Sequence, residues 1–132
     1  MGYYTWYNLT IHNQTEERKK TISEWARENI GFFSWIKPKD GEPEGTIEED
    51  LHYESHKWYN HTNDMLMLSE RFPDVFFELE GDGEESDDFW REYYYDGTSE
   101  FAMGEIVFAP CTIVPNNYFT RMEKEKENGN DA

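Results

Sequence analysis

Residues 89–103 read FWREYYYDGTSEFAM, with the pair Asp96-Gly97 at the middle of two aromatic-rich runs. A two-residue hairpin loop of type I′ needs positive φ at both positions, which Asp tolerates and Gly adopts freely. The pair therefore predicts a hairpin of 89–95 against 98–108, and it also sets the register. On one face Tyr95 lies opposite Thr98, Tyr93 opposite Glu100 and Arg91 opposite Ala102. On the other, Tyr94 faces Ser99, Glu92 faces Phe101 and Trp90 faces Met103.

Upstream of the hairpin, Val75, Phe77 and Leu79 alternate with Phe76, Glu78 and Glu80, the pattern of a strand with one packed face. The turn GDGEESDD (81–88) separates that strand from the hairpin. Before it, Trp58, Met65, Leu68 and Phe72, with Leu66 close by, mark a helical face over 57–71 that Pro73 terminates. Ile47, Glu49, Leu51 and Tyr53 alternate, which reads as a strand over 47–55, and residues 37–46 (KPKDGEPEGT) read as a mobile acidic loop. Residues 32–36 (FFSWI) read as a short strand closed by Lys37 and Pro38. Ile22, Trp25, Ala26 and Ile30 define a helix over 14–29, with Asn13 and Glu16 as its capping pair and Gly31 at its end. Residues 3–12 (YYTWYNLTIH) alternate Tyr3, Thr5, Tyr7, Leu9, Ile11 against Tyr4, Trp6, Asn8, Thr10, His12 and read as a first, central strand.

That order predicts an α+β two-layer sandwich with a ferredoxin-like βαββαβ core and an added C-terminal hairpin. The domain is expected to span 1–122, with Pro110 and Pro115 in an irregular stretch and 123–132 (EKEKENGNDA) as a flexible tail.

The chain has 132 residues, a length for one domain, with 12 Lys+Arg against 29 Asp+Glu and a net charge of −17. Such acidity alone would suggest disorder, but five Trp, nine Tyr and nine Phe argue for a folded core. The excess is regional: residues 1–39 carry net +2, residues 40–105 net −18 and residues 106–132 net −1. Direct nucleic-acid binding and adhesion to an anionic membrane are disfavoured, whereas basic surfaces are attracted. No run approaches the roughly 20 apolar residues of a membrane span. Cys111 is the single cysteine, so no intrachain disulfide forms, and the sequons at Asn8, Asn13 and Asn60 matter only in a secreted chain. A reducing cytoplasm is the expected compartment.

Catalytic signals are weak. His52 and His56 are four apart without the H-E-x-x-H arrangement, His12 and His61 stand alone, and Cys111 (APCTIV) has no local base. The segment DGEESDD (82–88) lacks the spacing of a calcium loop, and carboxylate pairs among so many acids carry no information without a pocket. No enzyme activity, metal or cofactor is expected; a small metal-binding hydrolase is the weakest alternative.

The acids have more meaning as an array. Glu42, Glu44, Glu48, Glu49 and Asp50, with Asp82, Glu84, Glu85, Asp87 and Asp88, could present carboxylates to a Lys/Arg-lined cleft in place of phosphates. Trp90, Tyr93, Tyr94 and Tyr95 would supply the aromatic anchors that carry interface energy. The bland reading of the same acids is a solvated face.

Residues 57–97 combine a Trp-Tyr helix start, a helix ending before Pro-Asp, a short strand, an acidic Gly-Glu-Glu turn and a Trp-containing hairpin. This third of the chain resembles small proteins of bacterial phages and prophages, which are similar to ferredoxin-like phage domains. The resemblance implies viral origin, a bacterial host cell as the compartment and structural roles for Trp58, Pro73, Trp90 and Gly97. Together with the charge it points to an inhibitor of a basic, nucleic-acid-binding host protein, a DNA mimic of the anti-CRISPR or anti-restriction type. The competing expectation is a phage structural or adaptor protein that works through an aromatic sheet face or as a homodimer.

Overall fold

Alternation in the first strand is realised residue by residue. In β1 (Thr5–Ile11), Thr5, Tyr7, Leu9 and Ile11 are buried and Trp6, Asn8 and Thr10 are exposed. The computed structural model describes residues 3–105 and 107–109. Asn13, at φ 54°, turns the chain out of β1 instead of capping the next helix. The cap is Thr15, whose side chain accepts from the Arg18 N–H at 3.1 Å and opens α1 (Glu16–Asn29). Glu16 and Glu17 in its first turn and Arg27 in its last complement the helix dipole.

Two expected strands are short helices. Residues 32–36 lie largely in α2 (Gly31–Trp35), because Phe32 and Phe33 both turn inward: Phe33 is fully buried and Phe32 stacks on Trp58 at 4.0 Å. A strand would send these neighbours to opposite faces. Residues 47–55 begin with α3 (Ile47–Leu51), capped by Thr46, with Ile47, Asp50 and Leu51 buried at helical spacing. The helix expected from 57 starts later, as α4 (His61–Arg71), and ends where Phe72 caps it by donating its N–H to the Leu68 carbonyl at 3.1 Å.

The remaining strands are β2 (Phe77–Gly83), β3 (Phe89–Tyr95) and β4 (Thr98–Met103). β4 therefore stops short of residue 108. All neighbouring pairs are antiparallel, in the order β1-β2-β3-β4. This βααααβββ chain order replaces the expected βαββαβ core, and β1 is an edge strand instead of a central one. Beyond β1, the two ladder bonds between Thr5 and His56 are the only ones among the described residues that extend pairing at that edge. What the two descriptions share is the α+β class and a two-layer arrangement, with four strands in place of the six expected. The core joins Ile22, Ala26, Phe33, Ile47, Leu51, Met65 and Leu68 of the helices to Tyr7, Leu9, Ile11, Phe77, Leu79, Trp90 and Tyr94 of the sheet.

The β3–β4 register agrees with the sequence reading at every pair from Trp90↔Met103 to Tyr95↔Thr98. Asp96 and Gly97 have φ of 49° and 74°, as a type I′ turn requires. Gly97 also donates its N–H to Ser69 Oγ at 2.9 Å, fastening the hairpin to α4. Gly97→Ala is expected to lower stability by about 1 kcal/mol, since Ala disfavours positive φ. Its new Cβ would also press on Glu70 Cγ. A urea midpoint unchanged from wild type would refute this. The expected tail, Pro110, Cys111 and Pro115 lie outside the described residues.

Candidate binding face and an aromatic cavity

Four of the five acids in the first cluster have side-chain partners within the molecule. Arg27 pairs with Asp50 at 2.7 Å and Glu44 at 3.3 Å, while Asp50 also accepts the Gly45 N–H. Burial raises the Asp50 pKa, against the lowering effects of Gly45 and Arg27. Glu48 pairs with Lys19 at 2.9 Å, which raises the lysine pKa, and accepts the Ile11 N–H at 2.8 Å. Glu49 accepts the Thr46 hydroxyl. These residues join α1 and α3 to β1; of the cluster, Glu42, Glu44 and Glu49 are exposed.

The second cluster is different. Asp82, Glu84, Glu85 and Asp87 are exposed around the β2–β3 turn, which is closed by the Gly83 N–H on the Asp88 carbonyl. Glu84 accepts the Tyr4 N–H at 2.8 Å, and Asp88 accepts the Tyr3 hydroxyl at 2.6 Å. That bond raises the Tyr3 pKa. Glu48 meets β1 at Ile11 and Glu84 meets the chain at Tyr4, seven residues earlier. At about 3.3 Å per residue the two anchoring points are some 23 Å apart, so the clusters occupy opposite ends of the strand and form no common ridge.

Extended from the turn is the sheet face that the helices leave bare. Pairing places Trp6, Asp82 and Phe89 in one row; Asn8, Glu80, Arg91 and Ala102 in the next; and Thr10, Glu78, Tyr93 and Glu100 in a third. Arg91 bridges Glu80 at 2.8 Å and Glu78 at 3.8 Å. His12 reaches Glu78 at 3.2 Å and stacks on Phe76, which stacks on Tyr93. Trp6 is 50% exposed, Phe89 38% and Tyr95 53%. Of the four anchors expected from sequence, Tyr93 and Tyr95 lie here, but Trp90 and Tyr94 are buried and add nothing to this face. Trp6 and Phe89 take their place.

Behind the sheet, Glu92 is buried at 4% exposure. It receives Tyr94 OH at 2.6 Å, Thr62 Oγ1 at 3.0 Å and His61 Nδ1 at 3.1 Å. Burial alone would raise the Glu92 pKa, but the hydrogen bonds from His61, Tyr94 and Thr62 win and hold it below the ordinary carboxylate range. Burial and Glu92 together push the Tyr94 phenol up, so it remains a donor. Tyr7, held mainly by burial, is pushed up to about 12. His61 stacks on Trp90 at 4.7 Å and lines a cavity of about 260 Å³ with Tyr3, Thr5, Tyr7, Trp58, Tyr59, Asp88 and Trp90.

No family model, curated protein or solved structure matches the chain. Among the described residues, no group of three or more His, Cys, Asp and Glu could hold a metal ion. No described helix is long and apolar enough to cross a membrane. His56 is tied to Thr5 by both ladder bonds and to the Leu51 carbonyl through Nε2, and burial lowers its pKa; His52 is exposed. The sequence signal for the new face was the alternation of β1, which assigns Trp6 to the side opposite Tyr7.

Proposed function

We propose that the protein is a non-enzymatic binder of a basic, nucleic-acid-binding host protein, engaged through the acidic turn 82–88 and the adjoining bare sheet face. The observation that carries this reading is the continuity of the two: Asp82 belongs both to the exposed turn and to the row Trp6, Asp82, Phe89. Carboxylates steer a cationic partner and set its orientation, while exposed aromatics supply the desolvated contacts that carry affinity. Glu78, Glu80 and Asp82 repeat along β2 at about 6.6 Å, two residues of strand, which supports a surface that stands in for phosphates. Arg91 offsets part of that row, so most of the steering falls to Glu84, Glu85 and Asp87. The sequence resemblance to phage proteins supports a bacterial host cell and an inhibitor of the anti-CRISPR or anti-restriction type. Cluster 42–50 is not part of the proposed surface, because Glu44, Glu48, Glu49 and Asp50 are engaged by Arg27, Lys19 and Thr46.

The test is capture from bacterial lysate at low and high salt, followed by competition of the captured protein with duplex DNA. Replacing Asp82, Glu84, Glu85 and Asp87 by Lys is expected to weaken binding about 30-fold, with DNA displacing the wild type. Salt-insensitive binding, or capture unchanged by the four reversals, would overturn the reading. A second reading, an adaptor that self-associates, draws on β4, where Phe101 is 55% and Met103 58% exposed at an edge. It requires a concentration-dependent dimer that survives the same reversals.

A further inference from the structure

The cavity between β1, β3 and the start of α4 lies beside the acidic turn, and it carries a carboxylate among aromatic rings. Asp88 contributes a carboxylate whose Oδ2 already holds Tyr3 OH. His61 lines the cavity while its Nδ1 is engaged by buried Glu92. Two of the phenols are engaged within the protein: Tyr3 OH donates to Asp88 and Tyr7 OH donates to the Trp58 carbonyl at 3.3 Å, while the Tyr59 oxygen accepts the Tyr3 N–H at 3.0 Å. The walls are aromatic, from Tyr7, Trp58, Tyr59 and Trp90, with Tyr59 72% exposed at the mouth. A carboxylate within aromatic walls selects a flat cation that lies against the rings and donates N–H groups to the charge, which is the chemistry of a guanidinium group.

Resting on the binding reading above, we propose that this cavity receives an arginine side chain of the basic partner, with Asp88 as its counter-charge, the aromatic rings and His61 as its walls and Tyr59 covering it. Glu92 acts as a positioning residue, because it holds the imidazole from behind without reaching the cavity's occupant. The arrangement gives the long-range attraction of the turn a specific end point: acids at 82–87 draw in a basic surface, and one side chain of that surface is read at Asp88.

The experiment titrates the full chain with N-acetyl-arginine N-methylamide and, as the neutral isostere, N-acetyl-citrulline N-methylamide, following the indole N–H resonances of Trp58 and Trp90. A saturable shift in the millimolar range is expected for the arginine probe, with citrulline at least tenfold weaker. Asp88→Asn keeps an acceptor for Tyr3 and is expected to lose about tenfold, whereas Glu54→Gln, an exposed carboxylate outside the cavity, changes the affinity less than twofold. Absence of a saturable shift, equal binding of both probes, or equal losses in the two variants would overturn the proposal. The two readings separate cleanly. Asp88-dependent probe binding with capture indifferent to the turn reversals would sink the host-protein reading and leave the guanidinium site. Salt-sensitive, reversal-sensitive capture with no probe binding would sink only the cavity.

Discussion

Glu92→Ala is expected to lower the stability of the protein by about 3–5 kcal/mol, the usual cost of removing one partner from a buried ionic network. Three donors converge on this carboxylate, and Tyr94 has no exposed surface through which its hydroxyl could reach water instead. An orphaned buried hydroxyl alone costs about 1–3 kcal/mol. The effect has a pH signature. Because the folded-state pKa of Glu92 is depressed, its contribution is fully present above the unfolded carboxylate value and is lost as pH falls through the lower folded value. The stability gap between wild type and Glu92→Ala should therefore be widest near neutrality and narrow below about pH 4. Chemical denaturation at a series of pH values measures it. A gap below about 1 kcal/mol at pH 7, or one that widens in acid, would contradict the network as described.

Glu92 also shows why part of the site escapes a sequence reading. In EYYYDG it looks like one more surface acid of a charged segment, and strand alternation places it on the same face as Trp90 and Tyr94 without saying that this face is the core. What reveals it is the arrival of α4, whose first two residues, His61 and Thr62, bring donors from thirty residues away. Asp50 hid a whole element for a related reason. Ile47, Asp50 and Leu51 are the buried face of α3, but a buried acid does not register as a core position, so the eye follows Ile47, Glu49, Leu51 and Tyr53 into a strand. Arg27, on another helix, is what makes Asp50 an interior residue.

The hairpin was legible because its information is local. Asp96 and Gly97 supply the two positive φ angles, and register then follows by counting. Layering was legible for a similar reason, since β1 and β2 alternate cleanly. Chain order was not, because converting 32–36 and 47–55 from strands to helices depends on tertiary partners: Trp58 for Phe32, Arg27 for Asp50. The acidic surface divides in the same way. The glycine-flanked turn 82–88 can be exposed by its own composition, whereas the fate of cluster 42–50 depends on where Lys19 and Arg27 lie.

Gly81→Val is expected to cost about 3 kcal/mol, because position 81 has no room for a side chain. Gly81 pairs with Tyr7 on one side and Trp90 on the other, and a Cβ built there would overlap the six-membered ring of the Trp90 indole. That ring cannot swing aside cheaply. His61 stacks on it at 4.7 Å, Tyr7 meets it edge-on at 6.1 Å, and Phe101 lies 6.0 Å away. Displacing it would disturb the His61–Glu92 contact and the cavity at once. Extended backbone at this position suits Val well, so intrinsic strand preference opposes the loss and the steric origin can be isolated. In the double variant Gly81→Val, Trp90→Leu, the smaller side chain makes room for the new methyl groups. Its destabilisation should fall at least about 1 kcal/mol short of the summed single effects, the non-additivity of residues that share a site. Urea denaturation of the four proteins measures the coupling. Simple additivity would mean that Gly81 is required for some reason other than the ring lying across it.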